Sequence, residues 1–258
     1  MKVIILCGGL GTRLAEETHI KPKPMVEIGG RPILWHIMQL FEQHGITDFN
    51  LALGYKGEVI KDYFMNYHSY LSDMTVHLKT GKIEYSNSTV EDWNVSMIDT
   101  GPNTMTGGRL LRFKQYCKNI NEPFMLTYGD GVSDVDITAL LKYHRSHGKI
   151  ATVTAVRPSA RFGGMHIGEG QVIDFEEKPQ SGEGWINGGF FVFEPAIFDY
   201  LDDDSTILEK FPLENLVRDE QLMAYQHSGY WQCMDTIRDR DALQKLWDGG
   251  SAPWIGSN

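Results

Sequence analysis

Leu6-Cys7-Gly8-Gly9-Leu10-Gly11-Thr12-Arg13 follows the apolar run Val3-Ile4-Ile5-Leu6 near the start of the chain, and its reading decides the fold. The run is short, unbroken and rich in β-branched residues, which predicts a buried strand over 3–6. Gly8, Gly9 and Gly11 come directly after it. Glycine lets a backbone approach a ligand closely, and a glycine-rich turn leaving a parallel strand lies where open α/β sheets bind ligands. Its N–H groups can form a nest for an anion. Arg13 closes the loop with a fork of donors suited to phosphate. Lys21-Pro22-Lys23-Pro24 then brings two cations stiffened by two prolines. The glycines alone are equally well read as a tight structural turn. With Arg13 and Lys23 beside them, they read as a cradle for a triphosphate.

Two phosphate motifs are excluded by inspection. The dinucleotide fingerprint G-x-G-x-x-G, started at Gly9, fails at Leu14, and no Lys-Ser or Lys-Thr completes a Walker A loop. The pattern resembles instead the signature of the sugar-nucleotide pyrophosphorylases, G-G-x-G-[ST]-R with a lysine shortly after, met here by Gly8, Gly9, Gly11, Thr12, Arg13 and Lys23. The resemblance implies a nucleotide held by Leu6, Gly8, Gly9, Leu10, Gly11, Thr12, Arg13 and Lys23.

Bulk properties fit that direction. A chain of 258 residues, 41% hydrophobic, suits one large α/β domain or two intimately packed halves. Its expected division is a nucleotide-binding part over about 1–130 and a sugar-phosphate part over about 131–258. A formal net charge of -10 and no basic tail argue against a nucleic-acid binder, while leaving room for a small anionic substrate. Cys7, Cys117 and Cys233 make no C-x-x-C pair and read as reduced thiols in a cytoplasmic protein. No apolar run is long enough to span a bilayer, and Gly8 and Gly9 cut the first run too short for a signal peptide.

Periodicity predicts helices over 32–44, 57–67, 136–147 and 238–247, and one running from the Thr104-Met105-Thr106-Gly107-Gly108-Arg109 stretch to about 117. Strands are predicted over 49–53, 94–99, 124–128, 150–156, 190–193 and 221–226, with short pairs within 75–86 and around 168–170. The alternation implies a mostly parallel sheet flanked by helices. The Thr-Gly-Gly helix start has two readings: backbone amides offered to a ligand, or a plain cap with close packing.

Gly129-Asp130-Gly131 closes the strand over 124–128. Alone, it is an Asp-Gly turn. At the end of a sheet strand near a phosphate cradle, its carboxylate is better placed as a ligand for Mg²⁺. The resemblance continues through Gly129-Asp130, Glu177-Lys178-Pro179, Asn187-Gly188-Gly189 and Trp231-Gln232-Cys233-Met234-Asp235-Thr236. It implies Asp130 and Asp235 as metal ligands, Glu177 and Asn187 on sugar hydroxyls, Lys178 on the sugar phosphate, and Thr104 and Arg109 near the base and ribose. Arg13, Lys23 and Asp130 become the catalytic candidates. Asp235 has a second reading as the N-cap of the last helix.

Longer stretches, among them Lys-Pro-Lys-Pro-Met-Val-Glu-Ile-Gly-Gly at 21–30 and Ala252-Pro253-Trp254, extend the likeness over essentially the whole chain. They resemble the cytidine-using branch of the family. Cys7 stands where alanine is usual, and Gly164-Met165-His166 differs from the commoner Ala-Leu-Asp. The expected fold is the Rossmann-like nucleotidyltransferase fold. The expected reaction joins CTP and glucose 1-phosphate into CDP-glucose and pyrophosphate with Mg²⁺. The resemblance also implies a homo-oligomer, a hexamer, and a place in dideoxysugar synthesis for lipopolysaccharide O-antigen. The rivals are UTP or dTTP as donor, a non-catalytic nucleotide-sugar sensor, and an NAD-dependent dehydrogenase, the last disfavoured by Leu14.

Overall fold

β1 (Val3–Cys7) is buried along its whole length, as an unbroken apolar run requires of a strand covered on both faces. The computed structural model describes residues 1–115, 122–158, 164–168, 171–176 and 184–256, with the side chains of Arg13, Ala15, Glu16 and of 164–168 and 171–176 outside that description. β2 (Asp48–Leu53) runs parallel to β1 on one side, and β3 (Asn94–Asp99) runs parallel to β2 beyond it. The chain then crosses back, and β4 (Phe124–Tyr128) pairs parallel with the free side of β1.

Four further strands complete the eight-stranded sheet: β5 (Ala151–Val156), β6 (Ile186–Asn187), β7 (Phe191–Phe193) and β8 (Leu222–His227). β7 joins β4 and β5 antiparallel, and β8 runs parallel to β5. Asn187 lies opposite Ala155 and Phe193 opposite Ala151. β6 and β7 are therefore one antiparallel strand interrupted at 188–190.

Helices α1 (Ile33–Glu42), α2 (Gly57–Tyr70), α3 (Thr106–Phe113), α4 (Ile137–His147), α5 (Phe211–Arg218) and α6 (Ile237–Asp248) flank the sheet. Side chains alternate along β1, so Val3, Ile5 and Cys7 enter one core with Phe41 and Phe49. Ile4 and Leu6 enter the other, with Phe113, Phe124 and Phe191. The architecture is the mixed, mostly parallel α/β sheet that the alternation predicts, and no described helix is long and apolar enough to cross a membrane.

Most expected elements appear within a residue or two of their predicted bounds. α2 runs on to Tyr70, past 67, carried by the contacting rings of Tyr63, Phe64 and Tyr67 on one face. The expected hairpin forms from Asp73–His77 and Lys82–Ser86, and the expected pair near 168–170 from Gly164–Gly168 and Gln171–Glu176. α3 ends at Phe113, short of the end expected near 117, where the Lys114 N–H turns to the carbonyl of Leu111 and closes the helix in a tighter turn. Two small antiparallel pairs were not visible in the sequence. Glu27–Ile28 pairs with Arg31–Pro32, and Gly131–Ser133 pairs with Trp231–Cys233.

The last helix is capped by Thr236, whose hydroxyl accepts from Asp239 N while the Asp239 carboxylate returns to the Thr236 N–H. Asp235 is therefore not the cap.

One buried histidine ties the C-terminal turn to α1. His36 is fully buried, its Nε2 lies 2.8 Å from the carbonyl of Ile28, and its Nδ1 accepts from Trp254 Nε1 at 3.2 Å. The neutral ring satisfies both partners; a proton on Nδ1 would face another donor. Burial pushes its pKa down to about 4, against the opposing effect of the Ile28 carbonyl. The unfolded chain, near 6.5, takes up this proton first as pH falls. The stabilisation is complete above about pH 6.5 and drains away toward pH 4, by on the order of 3 kcal/mol at 1.36 kcal/mol per unit. Urea melts of wild type and His36→Gln should converge over that range. Parallel stability curves for the two would contradict it.

Candidate active site

The strand order reverses at β1. After β1 the chain builds outward through β2 and β3; it then returns to place β4 on the opposite side of β1. Loops leaving the carboxyl ends of β1 and β4 therefore diverge, and the crevice between them is the usual ligand site of such a sheet. Here the first loop is Gly8 to Arg13 and the second is Gly129-Asp130.

A cavity of about 310 Å³ lies in this crevice, lined among others by Leu6, Gly8, Gly9, Lys23, Thr104 and Asp130. Gly11, Thr12 and Arg109 also border it. Leu10, by contrast, is exposed and lies outside the lining. Arg13 follows in the turn Thr12–Leu14, and its side chain is outside the described residues. Gly11 has φ +62°, a left-handed conformation that favours glycine. Thr18 holds this turn by donating to the carbonyls of Gly11 and Leu14.

The floor of the cavity is fastened by Arg109. It is buried, and its guanidinium donates to Thr100 Oγ1 at 2.7 Å and to the carbonyls of Gly101 (2.8 Å), Leu53 (3.0 Å) and Gly8 (3.0 Å). One side chain thus ties together the exits of β1, β2 and β3. It also explains two glycines: a Cβ on Gly8 would sit 2.1 Å from Arg109 Cζ, and one on Gly54 2.4 Å from its Nη1.

The Thr-Gly-Gly start of α3 resolves toward close packing. Gly107 N and Gly108 N donate to the carbonyl of Thr206, and a Cβ on Gly108 would lie 2.5 Å from the carbonyl oxygen of Asp204. These amides serve the 204–206 loop.

A second cavity, of about 350 Å³, adjoins the first and shares Tyr128 and Asp130 with it; Asn187, Glu209, Trp231 and Asp235 line it. Lys23 stands at the seam. It begins a short turn, Lys23–Met25, between Pro22 and Pro24, and only 8% of it is exposed. Its ammonium donates to Asp130 Oδ2 at 2.7 Å and to Asp235 Oδ1 at 2.5 Å. Burial works to lower the Lys23 pKa, but the two carboxylates outweigh it and hold the group above its ordinary value.

The two aspartates meet through the small pair that the sequence did not reveal. Gly131 lies opposite Cys233, and Met234 N donates to the carbonyl of Asp130 at 2.8 Å. That register sets the residue before one strand beside the residues after the other.

Two carboxylates converging on one cation form an all-oxygen donor set, which suits a hard divalent ion completed by water and phosphate oxygens. Among the described residues no group of three or more His, Cys, Asp or Glu side chains could hold a metal by itself.

Asn187 lines the second cavity; its carbonyl accepts from Gly189 N and its amide donates to the Tyr128 hydroxyl. Glu177 and Lys178 lie outside the described residues. Tyr128, Glu209 and Trp231 enter the site without having been singled out. The one available signal was the position of Tyr128 at the end of a sheet strand beside Asp130.

Residues 2–239 match a family described as nucleotidyl transferase. The chain is 54% identical to the glucose-1-phosphate cytidylyltransferase of Salmonella typhimurium over 254 residues, 98% of each protein. It is 42% identical to the probable glucose-1-phosphate cytidylyltransferase of Bacillus subtilis, covering 98% of this chain and 99% of that one. Its fold superposes on the putative glucose-1-phosphate thymidylyltransferase from Bacillus anthracis, solved in complex with a sucrose, with a TM-score of 0.69 at 20% identity over 100% of this chain and 97% of that chain. At that identity the likeness is one of fold.

Proposed function

The chain belongs to the nucleotidyl transferase family, and from that premise we propose that it transfers a cytidylyl group from CTP to α-D-glucose 1-phosphate, giving CDP-glucose and pyrophosphate. The observation that carries the chemistry is the convergence of Lys23, Asp130 and Asp235 at the seam of two adjoining cavities. The full-length identity to the Salmonella typhimurium relative carries the choice of substrates.

A phosphate monoester has a second pKa of about 6, so glucose 1-phosphate arrives mostly as a dianion. Its oxygen attacks the α-phosphorus of CTP, the bond from that phosphorus to the bridging oxygen breaks, and pyrophosphate leaves. No side chain has to remove a proton. The task is to bring two polyanions together, neutralise their repulsion and align them.

In this reading the first cavity takes CTP. Gly8, Gly9 and Gly11 supply the loop backbone, Thr12 and Arg13 extend it, and Leu6 and Thr104 line the nucleoside end. Arg109 acts by holding the floor. Lys23 and Arg13 carry the charge that grows on departing pyrophosphate. The second cavity takes the sugar phosphate, with Asn187 and Glu177 for hydroxyls and Lys178 for the phosphate. When bound, a divalent cation, magnesium here, would be held by Asp130 and Asp235 and would neutralise charge at the reacting phosphates.

The reading also treats 1–258 as one domain, nucleotide-binding over about 1–130 and sugar-phosphate-binding over about 131–258. The protein then works in the cytoplasm as a homo-oligomer, a hexamer by the family resemblance, supplying CDP-glucose for dideoxysugar synthesis.

The reverse reaction tests the proposal. Purified protein given CDP-glucose, pyrophosphate and Mg²⁺ should return CTP and glucose 1-phosphate. Asp235→Asn should keep its fold by circular dichroism and slow that reaction by more than about a hundredfold, since even outer partners of metal ligands reach that scale. Wild-type rates in Asp235→Asn at limiting Mg²⁺ would remove Asp235 from the site.

A further inference from the structure

The second cavity is crossed by a chain of hydrogen bonds whose directions are fixed by one carboxylate. Glu209 lies in the loop just before α5. Its Oε2 accepts from Thr106 Oγ1 at 2.6 Å, and its Oε1 accepts from the Tyr128 hydroxyl at 2.6 Å. A carboxylate can only accept, so both hydroxyls must donate to it. The Tyr128 oxygen is left as an acceptor and receives Asn187 Nδ2 at 3.2 Å. Asn187 Oδ1 in turn accepts from Gly189 N at 2.8 Å. The two ends agree: Glu209 makes the Tyr128 oxygen an acceptor for the Asn187 amide, and the Gly189 N–H, which can only donate, holds Asn187 Oδ1 from the other side.

The termini of this chain are anchored. Thr106 Oγ1 also accepts from Leu208 N, so its proton is committed to Glu209. On the far side, Trp231 Nε1 donates to the carbonyl of Gly188 and holds the interrupted strand against the cavity. Asn187 is left with one arrangement of its amide: nitrogen toward Tyr128, oxygen toward Gly189. An isolated asparagine would present either end to a ligand.

We infer that Glu209 is a positioning residue for hexose selectivity, acting through Tyr128 to fix which donor and acceptor Asn187 presents to the sugar. The inference rests on the reading that the second cavity holds the sugar of a hexose 1-phosphate. Epimers differ only in where a hydroxyl points. A wall of fixed hydrogen-bonding polarity discriminates between them: Asn187 is exposed, and once a sugar covers it the wrong epimer leaves one of its polar atoms unpaired. A wall free to flip its amide does not.

The test uses Glu209→Gln, Tyr128→Phe, the double variant and Asn187→Ala in the forward assay. In Glu209→Gln one of the two hydroxyls must face an amide nitrogen in place of a carboxylate oxygen. Tyr128→Phe removes the acceptor for Asn187 outright, and serves if the first variant folds poorly. Glu209→Gln and Tyr128→Phe should each raise KM for glucose 1-phosphate by about five- to tenfold, the scale of one hydrogen bond, and Glu209→Gln, whose side chain lines the second cavity alone, should leave KM for CTP within about twofold. Preference for glucose 1-phosphate over galactose 1-phosphate and mannose 1-phosphate should fall by a similar factor. The double variant should be little worse than either single one, because both break the same chain.

A purely structural role would instead move both KM values and the melting temperature together, and would overturn the inference. Unchanged selectivity in Glu209→Gln and Tyr128→Phe, with Asn187→Ala impaired, would overturn it while leaving the sugar in this cavity. A normal KM for glucose 1-phosphate in Asn187→Ala would remove the sugar from the cavity, and the inference with it.

Discussion

Lys23→Ala is expected to lower kcat by about a hundred- to a thousandfold, with a much smaller change in KM for CTP. That is the scale measured when a single donor aimed at developing charge is removed from an active site. The position of Lys23 is the reason. It is the cation at the seam of the two cavities, rigidly mounted between Pro22 and Pro24 and almost wholly buried. A second effect follows from its partners. Removing the ammonium leaves Asp130 and Asp235 facing each other, and Asp235 is only 8% exposed. Breaking a buried pair in this way costs about 3–5 kcal/mol, reduced here because the Asp130 side chain is 31% exposed and partly screened by solvent.

The variant should therefore melt several degrees below wild type without metal and recover in millimolar Mg²⁺, which no longer competes with the lysine for the two carboxylates. A kcat within tenfold of wild type, with CTP binding alone weakened, would make Lys23 a ground-state anchor.

Arg109→Leu should have the largest effect on stability. It strips donors from the carbonyls of Gly8, Leu53 and Gly101 and from Thr100, all gathered under the glycine loop. Hydrogen bonds to a charged group are worth about 1.5–3 kcal/mol each; the Leu53 carbonyl keeps the Thr100 N–H and hydroxyl and the Gly8 carbonyl keeps the Tyr55 N–H, so the added penalty of a lost partner falls on Gly101. A loss of more than about 4 kcal/mol, or roughly 10 °C in melting temperature, is the expected outcome. Arg109→Lys should recover little of it, because a single ammonium cannot span the same set of acceptors.

Gly8→Ala should be damaging for the reciprocal reason, since its Cβ would enter the guanidinium. In the double variant Gly8→Ala/Arg109→Leu the clash disappears, so the two losses should not add. A melting temperature for Arg109→Leu within about 2 °C of wild type would show that the β1, β2 and β3 exits hold together without it.

The contrast between these residues marks what the sequence could convey. β1, the glycine loop and Lys23 were legible because they are close in the chain and carry distinctive residue types. Strand β3 was legible at both ends, as was β4, because each is a compact apolar or alternating segment with clear turn signals. The meeting of Asp130 with Asp235 was implied by the family resemblance alone and could not be read from spacing. It depends on Gly131–Ser133 pairing with Trp231–Cys233, strands too short for a period and roughly a hundred positions apart.

Other features failed to show for different reasons. The partners of Arg109 are mostly backbone carbonyls, which have no sequence signature at all, so its fastening of three loops could not be read from spacing. Glu209 sits in a loop with no pattern, and only the packing of the 204–208 segment on α3 brings it to Tyr128. The Thr-Gly-Gly motif had two physical readings, and the nearness of the Asp204 backbone decided between them.

The most direct test is pyrophosphate release from the purified protein with Mg²⁺ and glucose 1-phosphate, offering CTP, UTP, ATP, GTP and dTTP separately. Rapid release is expected with CTP, and release at least about a hundredfold slower with each of the others. Comparable or faster release with UTP or dTTP would keep the transfer chemistry and overturn the choice of nucleotide. No release with any nucleotide, from folded protein, would contradict the enzymatic reading and leave a nucleotide-sugar sensor built on the same fold.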